Sequence, residues 1–336
     1  MKWCNVAVRV AAGGCGLLIA GTIGCAGASG QSGFGDGDGG ASGGGGDFGG
    51  DAGSFNGGGG ADGGAATQGK TLLYAHTDTT LYQLDPENIT APMTTVGDFD
   101  CGSMTDLAVS KDGKLFAVST TAVSPLTVSG GQVHCDATWS LPGSHGGSFY
   151  GLTMAPENTV AAQEVLIAAN GAGQLFQIDP NSGAPTQVGT LGVDSSNGLP
   201  WALSGDIVFV ANNGSPIGFA TVRTCSGGAS TCSKVDTLIE VDVHAIHPGT
   251  QSVLKTVRGA VQRGSWCTNP ASPSTFGSMF GIVAYQDKVF GFSRSGDLVV
   301  MHNDDGSGCL VSAQPTMKFA GAGVTTTAPV TAPPPR

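Results

Sequence analysis

Residues able to move protons, attack carbonyls or hold metals are few and scattered in this chain. Its six histidines include His244 and His247, three apart and followed by Pro248. That spacing would chelate a metal on a helix, but the flanking residues carry no helical pattern, so a loop is expected. His76, His134, His145 and His302 stand far apart and meet only if the fold gathers them. No Gly-x-Ser-x-Gly nucleophile elbow occurs, and Ser144-His145 has no acid in a triad order. Asp304-Asp305-Gly306 and Asp85-Pro86 read as turns. Asp36-Gly37-Asp38-Gly39 lacks the further ligands and closing Glu of a helix-loop-helix calcium site. Asn197 is the candidate metal ligand. It offers one oxygen where a hard cation such as calcium needs several. No Cys-x-x-Cys is present, so a zinc knuckle or an attached c-type haem has no support. No catalytic residue is assigned and no cofactor is expected, a divalent cation such as calcium at Asn197 being the one alternative.

The bulk numbers narrow the class. Only 12% of residues are charged and 57 of 336 are glycine, a composition that favours a turn-rich β protein. The net charge of −11 repels phosphate backbones, which argues against a nucleic-acid partner.

Two segments precede the part that can fold. Lys2 and Arg9 are followed by a short apolar run from Val10 to Gly24, the anatomy of a signal peptide over residues 1–24. Thr22-Ile23-Gly24-Cys25 resembles the bacterial lipobox, with Thr22 where that family prefers Leu. The resemblance implies lipidation of Cys25, and Ala26 after it resembles lipoproteins sent to the outer membrane. Ala26-Gly27-Ala28 offers an ordinary signal peptidase the competing cut, and Cys15 is a poorer lipid site because little apolar run precedes it. Residues 25–70 form a Gly-rich stretch with Ser, Ala and Asp between, which cannot bury a core and is expected to be a disordered, flexible tether.

From residue 71 the pattern changes to short apolar runs bounded by Gly, Asp, Asn or Pro, such as Leu115-Phe116-Ala117-Val118 and Ile207-Val208-Phe209-Val210. These read as strands, and Asp112-Gly113 as a tight hairpin turn. Leu81-Tyr82-Gln83-Leu84-Asp85-Pro86 recurs as Leu175-Phe176-Gln177-Ile178-Asp179-Pro180, with further copies at Leu126, Leu238 and Leu298. A second recurring half includes Met104 to Val109, Phe149 to Met154, Asn197 to Ala202 and Met279 to Ala284. A unit is then four strands, the size of a propeller blade. The first unit lacks its leading strand, and Gly323 to Val330 is expected to supply it by pairing with the strand at Leu72. An all-β fold follows: a β-propeller of about five four-stranded blades over 71–330, with four or six also possible, and a C-terminal tail at 331–336. A ladder solenoid is the structural alternative.

These units resemble those of secreted bacterial β-propeller repeat proteins, a resemblance specific for fold and nearly silent on function. Asn197-Gly198-Leu199-Pro200-Trp201-Ala202-Leu203-Ser204-Gly205-Asp206 is similar to a strand of metal-dependent propeller lactonases of the gluconolactonase type. There the Asn is a ligand of a central divalent ion. The Glu and the Pro-Asp-Gly that complete that family's site are missing here.

Once the leader is removed and Cys25 lipidated, six cysteines remain, which reads as three disulfides in an exported chain. Repeat positions pair Cys101 with Cys135 and Cys267 with Cys309, and leave Cys225 with Cys232 in an insertion. The functional expectation is a non-catalytic outer-membrane or cell-surface lipoprotein, alternatively periplasmic or secreted. Its propeller binds a protein, a glycan or a small ligand. A metal-dependent hydrolase or lactonase and an envelope assembly scaffold are the alternatives.

Overall fold

The computed structural model describes residues 70–141, 147–212, 215–227 and 231–336. The signal peptide, Cys25 and nearly all of the tether lie outside the described residues, as do Ser144 and His145. Alternation of apolar and polar residues builds strands throughout, and the described residues form an all-β protein of several antiparallel sheets.

The strands fall into groups along the chain. The first is β1 (Leu73–Thr77), β2 (Thr80–Leu84) and β3 (Thr94–Phe99). The second is β4 (Asp106–Val109), β5 (Leu115–Val118), β6 (Ala122–Ser129) and β7 (Gln132–Cys135), with β8 (Trp139–Ser140) beside β6. The third is β9 (Phe149–Ala155), β10 (Val165–Asn170), β11 (Gln174–Ile178) and β12 (Pro185–Thr190). The fourth is β13 (Trp201–Asn212), β14 (Ser215–Thr224), β15 (Thr237–Val241) and β17 (Leu254–Ala260), with β16 (Gly249–Ser252) lent to β12. The fifth is β19 (Met279–Tyr285), β20 (Lys288–Ser293), β21 (Asp297–His302) and β22 (Ser307–Ala313), with β18 (Gln262–Arg263) along β22. Finally β23 (Phe319–Val324) returns to pair with β1, Leu73 opposite Val324. Each of the five groups thus holds a four-stranded antiparallel unit.

The leading strands touch in sequence: β4 with β9, β9 with β13, β13 with β19, β19 with β23, and β23 with β4 again. That is a closed cycle of neighbours. Apolar side chains fill the space between adjacent units. One cluster holds Phe99, Leu107 and Val133, another Val118 and Phe149, a third Ile167 and Phe209, and the largest Phe219 and Phe290. Each fully buried side chain of this size contributes about 1.5–3 kcal/mol. The recurring Leu81, Leu126, Leu175, Leu238 and Leu298 all lie in the third strand of a unit. Gly113 adopts φ +78° in the turn joining β4 to β5, as Asp-Gly requires.

Two expectations need correction. The strand completing the first unit is Phe319–Val324, not 323–330. Residues beyond Val324 run on as a strap instead. Thr325 bonds the Ser110 carbonyl, the Ala211 amide donates to Thr326, and Gln286 exchanges bonds with Pro329 and Thr331. The Arg258 guanidinium, itself paired with Glu240, donates to the Pro334 carbonyl. Extended backbone rich in Thr and Pro offers carbonyls to strand ends without needing a ladder of its own. The second correction concerns His244, which sits in a single 3-10 turn, Val243–Ala245, capped by Asp242.

Three disulfides, Cys101–Cys135, Cys225–Cys232 and Cys267–Cys309, mark an extracytoplasmic protein. Two tie a loop entering a unit to that unit's last strand. They span 34 and 42 residues against 7 for Cys225–Cys232. On the chain-entropy account the long closures are worth about 4 kcal/mol each and the short one about 2.5 kcal/mol. Urea unfolding of the three paired Cys→Ser variants should rank them in that order, with Cys225→Ser/Cys232→Ser the least affected.

Candidate functional site

The leading strands are edge strands on their inner side, so their inward N–H groups need partners. Two acids supply them. Asp106 opens β4 and Asp206 lies within β13, and both side chains are fully buried. Asp106 Oδ1 accepts from the Ala322 amide at 3.2 Å, and Oδ2 accepts from Leu152. Asp206 Oδ2 accepts from the Ile282 amide at 2.8 Å and Oδ1 from its own neighbour Ile207 at 2.5 Å. The Leu107 amide also faces Asp106. The two carboxyls hydrogen-bond to each other, so one of them is protonated and donates.

The sequence around these contacts is equivalent in all five strands. The donors Leu107, Leu152, Ile207, Ile282 and Ala322 follow Asp106, Gly151, Asp206, Gly281 and Gly321 respectively. At one level of the cycle, two acids therefore face three glycines. The glycines are required for space. A Cβ on Gly321 would collide with Asp106 Oδ1 and His76 Nε2, and one on Gly281 with the Gly321 backbone and Ala322. The Asp106 carboxyl occupies the room Gly321 leaves.

His76 completes this centre from β1. It is fully buried, its Nδ1–H donates to the Thr77 carbonyl at 2.7 Å, and Nε2 has no partner. Burial pushes its pKa down to about 4, and burial likewise pushes Asp206 up to about 8 and Asp106 well above the usual carboxylate range. A neutral imidazole thus stands beside a proton-sharing acid pair. A second buried acid station joins the fourth and fifth units: Asp236 pairs with Arg223 at 2.8 Å, accepts from Ser204, and accepts from the Met279 amide at 2.9 Å.

The structure does not bring Asn197 to this centre. Asn197 is exposed in the turn before β13, where its Nδ2 donates to Asp194 Oδ2 at 2.9 Å and its Oδ1 accepts from the Leu199 amide at 2.9 Å. His134 pairs with Asp100 at 2.7 Å beside the Cys101–Cys135 disulfide, and His244 and His247 lie on the surface of the fourth unit. In the sequence, Asp106 and Asp206 read only as parts of strand runs. The available signal was a charged residue directly ahead of an apolar run, as in Asp106-Leu107-Ala108-Val109 and Asp206-Ile207-Val208-Phe209.

Surface clefts among the described residues lie apart from the buried centre. One, of about 430 Å³, lies where the third and fourth units meet and is lined by Thr190, Val193, Pro200, Trp201, Ser252 and Leu254 among others. Val193 is 52% exposed there, and Tyr150, 38% exposed, packs beside Gly171 next to the lining residue Ala172. Another, of about 270 Å³, is lined by charged groups already engaged, Lys111 with Glu157 and Glu164 with Thr326.

No family model and no curated protein matches this sequence. Among solved structures, a crystal structure of a protein of unknown function from Bacteroides caccae matches with a TM-score of 0.39 at 8% identity, covering 76% of this chain and 99% of that one.

The buried groups fix a pH signature. A carboxyl whose folded pKa is raised holds a proton the unfolded chain has lost, so its contribution falls as pH rises, here up to about 8. His76, lowered to about 4, works in the opposite sense between there and its ordinary value of 6.5. The two effects oppose each other up to 6.5, and above it the acid pair acts alone. Stability should therefore drop by roughly 2 kcal/mol from pH 6.5 to 8. Urea midpoints across that range should show the drop, and the double variant Asp106→Asn/Asp206→Asn should abolish it. A wild-type midpoint that stays level or rises would refute the raised pKa of these acids.

Proposed function

We propose that the chain is an exported, lipid-anchored five-bladed β-propeller that serves as a non-catalytic binding platform on the cell envelope. Five four-stranded units whose leading strands form a closed cycle support the blade reading. The three disulfides and the leader with Cys25 support export.

The observation that carries the binding assignment is the commitment of the central acids. Asp106 and Asp206 are buried and taken up by backbone amides of neighbouring strands, so their role is to hold the ring together. What a ligand can reach is the cleft between the third and fourth units. Its hydroxyls, from Thr190, Thr250 and Ser252, alternate with apolar Val193, Pro200 and Leu254, and Tyr150 stands beside it. Hydroxyls interleaved with apolar and aromatic surface suit a neutral glycan, whose rings have apolar faces and polar rims.

Metabolic labelling with an alkyne-palmitate should mark the wild-type protein, and Cys25→Ala should lose both the label and membrane retention. The detergent-solubilised full chain, applied to a glycan array, should give binding that Val193→Asp weakens by at least about tenfold. Lactone hydrolysis that disappears in Asn197→Ala would instead make the protein an enzyme and overturn this reading.

A further inference from the structure

The turn between β21 and β22 reads His302-Asn303-Asp304-Asp305-Gly306-Ser307. One ligand atom each from His302, Asp304 and Asp305 lies within 4.8 Å of the others. From this convergence we propose that the turn binds a divalent first-row transition ion, Zn²⁺ being the one its donors fit.

Three features carry the assignment. The first is an unanswered oxygen. Asp304 Oδ1 is shielded from solvent and has no hydrogen-bond partner, and a buried carboxylate oxygen left so is costly unless a cation meets it. The other turn carboxylate is only partly used, Asp305 Oδ1 accepting from the Ser307 amide at 2.7 Å.

The second feature is a fixed imidazole. The His302 ring stacks flat on Trp266, centroids 4.4 Å apart and planes 8° from parallel. Trp266 is held in turn, its Nε1 donating to Ser307 Oγ at 2.9 Å, and the neighbouring Cys267 is tied to Cys309 in β22. The turn is braced from both sides, with Asn303 Nδ2 donating to the Thr331 carbonyl at 2.8 Å and the Gly306 amide to the His302 carbonyl at 3.0 Å. A preset ring loses little freedom when it takes a metal.

The third feature is the donor set. One imidazole nitrogen with two carboxylate oxygens matches the borderline ions, whereas Ca²⁺ needs six to eight oxygens and Mg²⁺ avoids imidazole. Asp305 is exposed, so the fourth position opens to water. The comparable grouping of Asp100, Cys101 and Cys135 has no such capacity, because its two sulfurs are bonded to each other.

The test is calorimetric titration of the chelator-treated full chain with ZnCl₂, and separately with CaCl₂. One equivalent of Zn²⁺ should bind, Ca²⁺ should not compete, and His302→Ala or Asp304→Asn should weaken Zn²⁺ by at least about tenfold. Co²⁺ should quench the Trp266 fluorescence. Trp266→Phe should lose that quenching yet keep the calorimetric signal, which separates binding from misfolding. Unchanged Zn²⁺ affinity in both His302→Ala and Asp304→Asn would overturn the proposal, as would the absence of any Zn²⁺ binding by a wild-type chain of intact melting behaviour.

Discussion

Every leading strand in this protein presents a row of backbone N–H groups to the middle of the molecule, where no further strand can pair with them and little water can reach. Buried amides must be satisfied, and five strands arranged in a cycle face that demand at the same place. The solution is one carboxyl pair, Asp106 with Asp206, which collects amides from all five strands. Burial raises the pKa of both acids and so lowers the charge the pair carries, and the surrounding N–H groups satisfy its oxygens. Gly321 and Gly281 follow from this choice, since a side chain at the first would displace Asp106 and one at the second would displace the Gly321–Ala322 backbone that donates to it. The apolar layers between units then hold the strands at the radius the pair can span.

The outer parts answer to a different constraint. A unit's last strand is exposed on its far edge, and several edges are covered by borrowed strands: β16 lies along β12, β18 along β22, and β7 along β3. The disulfides stand in the same region, fastening entering loops to last strands. The centre is thus held by hydrogen bonds in a dry environment, where they are strong, and the rim by covalent links where water weakens them.

Much of this was legible in the sequence, for identifiable reasons. The Leu81 and Leu175 motifs mark third strands because a strand buried on both faces must repeat its apolar pattern wherever a unit repeats. The pairing of Leu73 with Val324 was foreseeable from a first unit that lacked a strand. The end of that strand was not, because Gly323-Val324-Thr325-Thr326 continues in residues of good β propensity although ladder pairing stops at Val324. Asp106 and Asp206 escape a search for recurrence, since an acid at two of five equivalent positions looks like variation until the strands are laid side by side. The His302 turn escapes for the opposite reason. Asp-Asp-Gly is so common in turns that only the stacked Trp266, distant in sequence, sets it apart.

The carboxyl pair also has a meaning for how such a chain could change by duplication. Proteins assembled from similar units can gain or lose one when the encoding segment is copied or deleted. Here a sixth unit would bring a sixth inward amide to a pair whose oxygens are already engaged by five, and would widen the gap the pair must bridge. Removing a unit would crowd the two acids against a side chain where a glycine is now needed. Asp106 and Asp206 therefore act as a gauge for the number of units, admitting drift in the strands and loops around them while penalising any change in the count.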